Sequence, residues 1–145
     1  MLIHVGFRFL EHTADVYVEA WGSNIGRSFE DAALALFEVM IDTGTVNPTK
    51  RETIVVEARD KHELLYKWLE QLIQKFEIDN NVYSRFQVEI MEIQRNVLHL
   101  EATIFGETYD GERHPPRVGV KAITYHRMQV SERKGKTTLK FILDI

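Results

Sequence analysis

The 145-residue sequence has no cysteine. That excludes a disulfide framework, a thiolate metal site and a cysteine nucleophile, and it is compatible with a reducing cytosol. Proline is scarce, three residues with two adjacent at Pro115-Pro116. There is no repeat, no low-complexity stretch and no linker rich in Pro, Gly or Ser. Residues 1–145 are therefore expected to form one domain, a length that can bury a real core. Met1 to Leu10 lacks a basic start followed by a long apolar run, so no signal peptide is expected. No apolar run approaches the roughly 20 residues of a membrane-spanning helix. Positive charge is not in excess either: 18 Lys+Arg stand against 22 Asp+Glu, a formal net charge of −4. Phosphate contacts dominate nucleic-acid affinity, so this chain is not expected to grip RNA or DNA strongly by itself. A Gly-rich phosphate loop, His-Glu-x-x-His and Gly-x-Ser-x-Gly are all missing.

What is present is a set of short strand patterns interrupted by two helical ones. Asp15 to Trp21 alternates, with Val16, Val18 and Ala20 against Tyr17, Glu19 and Trp21, which predicts a half-buried strand. Gly22-Ser23-Asn24 breaks it, with Asn24 as a helix N-cap. Ile25, Phe29, Ala32, Ala33, Leu36, Phe37 and Met40 then recur at helical spacing as one apolar stripe, which Gly44 and Pro48 are expected to end. Ile54, Val55 and Val56 mark a strand over Glu52 to Ala58. Asp60 followed by Glu63 has the form of a capping box. It opens a second helix with the stripe Leu64, Leu65, Trp68, Leu69, Leu72, Ile73 and Phe76. Beyond Asp79-Asn80-Asn81, alternation at Phe86, Val88 and Ile90, a turn at Arg95-Asn96 and a return over Leu98 to Phe105 predict an antiparallel pair. Gly106 to Arg117 reads as a polar loop. Val118 to Val130 reads as a long, bent strand, and Glu132 to Lys136 as a hairpin turn. Thr137 to Ile145 reads as a last strand with Leu139, Phe141, Leu143 and Ile145 on one face. The order β-β-α-β-α-β-β-β-β predicts an α+β fold, two amphipathic helices packed on one face of a largely antiparallel or mixed β-sheet.

Three polar clusters stand out. Glu11-His12-Thr13-Ala14-Asp15 lies between an apolar segment, Phe7 to Leu10, and the strand at Val16. Its spacing reads first as a bulge or corner in which Thr13 and Asp15 tie down backbone amides. Asp144-Ile145 closes the last strand, where Asp144 and a main-chain carboxylate repel each other at close range. A hard cation such as Ca²⁺ or Mg²⁺ relieves such repulsion, and so does simple exposure to salt water. Lys121, within Val120-Lys121-Ala122-Ile123-Thr124-Tyr125-His126, sits in an apolar strand, where it snorkels or lies on the exposed face. Six histidines are scattered with no shared metal spacing, and His4, His62 and His99 read as surface or hydrogen-bonded core residues.

Taken in order, these segments resemble the archease family. The resemblance is carried by Phe9-Leu10-Glu11-His12-Thr13-Ala14-Asp15 with Ala20-Trp21-Gly22. It continues through Phe29-Glu30-Asp31-Ala32-Ala33-Leu34-Ala35-Leu36-Phe37, Val39-Met40-Ile41-Asp42 and Glu63-Leu64-Leu65-Tyr66-Lys67-Trp68-Leu69. Gly106-Glu107, Arg113-His114-Pro115, Val120 to His126 and the ending Ile142-Leu143-Asp144-Ile145 complete it.

The resemblance implies a non-enzymatic, cytoplasmic accessory protein. Such a protein activates the RtcB-type, GTP-dependent RNA ligase of tRNA splicing, promotes its guanylylation and turnover, and broadens the nucleotides it accepts. It also implies a calcium site, or a site for another hard divalent cation. The ligands carried over are Asp15, Asp144 and Ile145, with His12 and Thr13 as supporting neighbours. Lys121 and Asp144 are implied to act on the ligase. Two other readings remain: a chaperone-like modulator of tRNA-modifying enzymes such as methyltransferases, and a small metal-dependent hydrolase using Asp15, Asp144, His12 and His114.

Overall fold

In the computed structural model the described residues are 6–10 and 14–145. Strands β1 (Phe7–Leu10) and β2 (Asp15–Gly22) lead into helix α1 (Ile25–Met40) and a single 3₁₀ turn at Thr43–Thr45. Strand β3 (Lys50–Ala58), helix α2 (Lys61–Glu77), β4 (Asn81–Gln94), β5 (Val97–Thr108), β6 (Ala122–Arg133) and β7 (Lys136–Asp144) follow. The element order matches the one expected from periodicity.

The strands form two sheets where one was expected. The first runs β1-β2-β7-β6 and the second β3-β5-β4, and all pairs are antiparallel. Both helices touch both sheets. Helix α1 lies on β1, β2 and β7 of the first and β4 of the second, while α2 lies on β6 of the first and β3, β4 and β5 of the second. The fold class is α+β as expected, with the helices covering the inner faces of two sheets.

This position shows in the burial of α1. Ten of its sixteen residues are buried, including Gly26, Ser28, Ala35 and Val39, which lie off the predicted stripe. Small residues there let two sheets approach one helix. Helix α2 keeps a single buried stripe, Leu64, Leu65, Trp68, Leu69, Leu72 and Ile73, each fully buried leucine contributing about 2 kcal/mol of apolar burial. Trp68 Nε1 donates to the Phe29 carbonyl at 3.1 Å, tying α2 to α1.

The caps follow the chemistry of their side chains. Asn24 accepts the Arg27 N–H at 3.0 Å. Asp60 accepts the Glu63 N–H at 2.9 Å. Glu63 reaches back to the Arg59 N–H at 2.8 Å, one residue ahead of the cap instead of the cap itself. Helix α1 ends at Met40, before Gly44, because Ile41 takes an extended conformation and its N–H donates to the Phe37 carbonyl. Gly135, at φ 78, makes the two-residue turn between β6 and β7. The bend expected in β6 is a bulge: Thr124 pairs with Ile142 and Gln129 with Lys140, so residues 125–128 stand against Phe141 alone. Arg127 in this bulge takes φ 58.

Candidate functional site

Strand β7 is the inner strand that brings the candidate residues together. Asp144 pairs with Asp15 of β2 on one side and with Ala122 of β6 on the other. Val16, Val18, Ala20, Leu139, Phe141 and Leu143 belong to the core. Alternation therefore turns Asp15 and Asp144 together onto the opposite face of the sheet. Asp15 is half-buried and Asp144 exposed. Among the described residues neither carboxylate makes a side-chain hydrogen bond or ion pair. On the same face Arg127 folds over the Tyr17 ring, 4.7 Å from its centroid, and Tyr17 and its ladder partner Ile142 are buried.

Lys121 reaches the same end of the sheet by its backbone: its N–H donates to the Asp144 carbonyl at 2.7 Å. It lies one residue ahead of β6, not inside a strand as expected, because the segment before Ala122 is held by loop contacts and not by a ladder. Ala122 is Asp144's partner, so alternation sets Lys121 toward the helix side. There it lines a shallow cavity of about 120 Å³ with Ile123 and with Glu70, Ile73, Gln74 and Glu77 of α2. The backbones of Asp15, Asp144 and Lys121 thus converge, while the lysine side chain and the two carboxylates address different faces. Ile145 is partly buried against the core. His12 and Thr13, and His4, lie outside the described residues.

Two opposed carboxylates without a cationic partner are the chemistry a hard oxygen-seeking cation fits. Among the described residues no group of three or more His, Cys, Asp or Glu side chains is placed to hold a metal. Asp15 and Asp144 are at most part of a shell.

The histidines expected to be ordinary are so where described. His62 is exposed, and His99 Nδ1 lies 2.9 Å from Glu57 Oε2. His114 is different: it is 0% exposed and already engaged, with Nε2 2.8 Å from Glu107 Oε2 and Nδ1 accepting the Asp110 N–H at 2.9 Å. Burial pushes the Glu107 carboxyl up, but bonds from the Asn47 N–H, His114 and Arg113, with the Arg113 charge, outweigh it and hold it at about 2. Sequence reading named Glu107, Arg113 and His114 within the resembling segments and did not join them into a cluster. A Glu near the end of β5 and a His seven positions on, in the following loop, carry no spacing signal.

No helix of the described residues is long and apolar enough to cross a membrane. Residues 7–145 match the archease protein family. The chain is 40% identical over 139 residues to protein archease of Sulfurisphaera tokodaii, covering 96% of this chain and 98% of that protein. It is 34% identical over 139 residues to protein archease of Methanosarcina mazei, covering 96% and 95%. The solution structure of Methanobacterium thermoautotrophicum protein 1598 superposes with a TM-score of 0.82 at 37% identity, covering 97% of this chain and 99% of that one. A Thermotoga maritima crystal structure described as an archease, possible chaperone, shares the fold with a TM-score of 0.61 at 18% identity, covering 94% of each chain.

Proposed function

The chain belongs to the archease family, and on that premise we propose that it is a non-enzymatic accessory protein that activates an RtcB-type, GTP-dependent RNA ligase in tRNA splicing. It promotes guanylylation of the ligase, supports multiple turnover and broadens nucleotide use. The observation that supports this reading best is the convergence of Asp15, Asp144 and the Lys121 backbone at one end of the first sheet. An acidic protein presenting a rigid acidic edge suits a protein cleft better than an RNA backbone.

Asp15 and Asp144 would hold Ca²⁺, or another hard divalent cation, through carboxylate oxygens, with Ile145 adding a main-chain oxygen and water or the ligase the rest. The bound cation supplies positive charge that neutralises phosphate or carboxylate oxygens. The remaining work falls to side chains. Nucleotidyl transfer depends on positioning and charge neutralisation. The Lys121 ammonium, exposed beside α2, contacts a phosphate or a ligase carboxylate through charge-assisted hydrogen bonds. Asp15 and Asp144 sit on ladder positions, so their spacing holds when the edge enters the cleft.

The test is a ligase assay with GTP and RNA, the chain added in substoichiometric and stoichiometric amounts. Faster guanylylation and multiple-turnover joining support the reading. No change with a competent ligase removes it.

A chaperone-like role toward tRNA-modifying enzymes such as methyltransferases draws on one observation. Val55 and Met91 expose apolar side chains on the outer face of the second sheet, and Ile93 does so beside them. That role leaves Asp15 and Asp144 dispensable, which separates the two readings. The hydrolase reading loses one of its residues, because His114 is engaged with Glu107 and Asp110.

A further inference from the structure

Glu107, one residue before the end of β5, sits inside a knot of contacts that the proposed activation does not use. Its carboxylate accepts the Asn47 N–H at 2.8 Å, Arg113 Nη1 at 2.9 Å and His114 Nε2 at 2.8 Å. The His114 ring has no exposure. A backbone N–H only donates, so the Asp110 N–H bound at Nδ1 makes that nitrogen the lone-pair one. The ring proton therefore sits on Nε2 and is given to Glu107. One ring closes two bonds, one to its own turn and one to the end of β5.

The segment from Tyr109 to Lys121 hangs from this latch and has no regular secondary structure. Pro115-Pro116 follow His114 and stiffen the exit. The Arg117 N–H then donates to the Met40 carbonyl at 2.8 Å and the Val118 N–H to Val39 at 3.2 Å. The Arg117 guanidinium donates to the Glu38 carbonyl and carboxylate. Val120 is buried, and the Lys121 N–H lands on the Asp144 carbonyl. The segment is a tie from the end of β5, across the C-terminal end of α1, to the end of β7.

We infer that the Glu107–His114 latch is a positioning device for Lys121: closed, it anchors this tie so that the Lys121 backbone stays on the Asp144 carbonyl and its side chain stays against α2. What this does for a ligase rests on the proposed function. The coupling between latch and lysine does not.

Two substitutions separate the bonds. His114→Gln keeps an N–H donor where Nε2 stood and so the link to Glu107. His114→Asn keeps an acceptor where Nδ1 stood and cannot reach Glu107. In the full chain, amide hydrogen exchange by NMR reads the Lys121 N–H, with Leu139 in the middle of β7 as reference. His114→Asn is expected to speed exchange at Lys121 at least tenfold while Leu139 stays within twofold, and His114→Gln to restore most of the protection. Glu107→Ala, which removes both acceptor oxygens, repeats the test should His114→Asn not fold. Wild-type exchange at Lys121 in a folded variant with the Glu107 link broken overturns the proposal.

In the ligase assay the same variant lowers the maximal stimulated rate about tenfold at unchanged half-saturating concentration, and His114→Gln recovers it. A latch that merely stabilised the fold would leave both parameters of the folded protein at wild type, and that result also overturns the proposal. Should the wild-type chain fail to stimulate the ligase, the functional reading falls, and the exchange result decides the latch by itself.

Discussion

Asp15 and Asp144 stand directly opposite each other across the β2–β7 ladder, on the same face of the sheet. Like charges in that relation destabilise a strand pair, and among the described residues no ion pair offsets it. Asp144→Asn, and separately Asp15→Asn, is expected to leave the melting temperature unchanged or raise it, by on the order of 0.5 kcal/mol in stability. Ligase guanylylation falls to the unstimulated rate. Thermal unfolding and the ligase assay read the two effects, and a variant that melts early would mark the pair as structural.

Lys121→Ala should behave differently from a core change. The side chain is exposed and lies beside, not inside, the α2 packing, so stability is expected to move by less than about 0.5 kcal/mol. Stimulation of the ligase should be lost. Full activation by this variant would remove the lysine from the mechanism.

Acid should open the Glu107 cluster. Its carboxyl is held at about 2 against an ordinary 4.5. A folded-state value below the unfolded one adds stability that is fully present above the unfolded value and lost as pH falls through the folded one. Melting curves of the wild type and Glu107→Gln should therefore differ at pH 6 and converge between about pH 4.5 and 2. A gap that stays constant across that window would mean the carboxylate is not the source.

Ala35 tests the burial of α1. It lies off the predicted stripe yet is fully buried, so Ala35→Leu should destabilise the protein by about 1–3 kcal/mol through overpacking. A helix buried on one stripe only would accept the leucine at little cost. Denaturant unfolding distinguishes the two.

The strand and helix order was legible because burial writes a local period. The alternation at Val16, Val18 and Ala20 and the stripe from Leu64 to Ile73 each survive in the structure. The caps at Asn24 and Asp60 were legible for the same reason, since an N-cap bonds a backbone amide three residues away. Asp15, Asp144 and Lys121 came from motif resemblance; spacing alone favoured a bulge or corner for Asp15, simple exposure for Asp144, and snorkelling or an exposed face for Lys121.

Amino-acid order by itself determined which segments are strands and helices, which face of each is apolar, and which polar residues interrupt them. Tertiary structure decided the rest: the split into two sheets, the burial of Ala35 and Val39 beyond one stripe, and the pairing of Asp15 with Asp144. It also decided the closing of His114 onto Glu107. Periodicity is set by neighbours within a turn or a pleat, whereas strand partnership and side-chain latching join residues far apart in the chain, where only the packed core chooses among the alternatives.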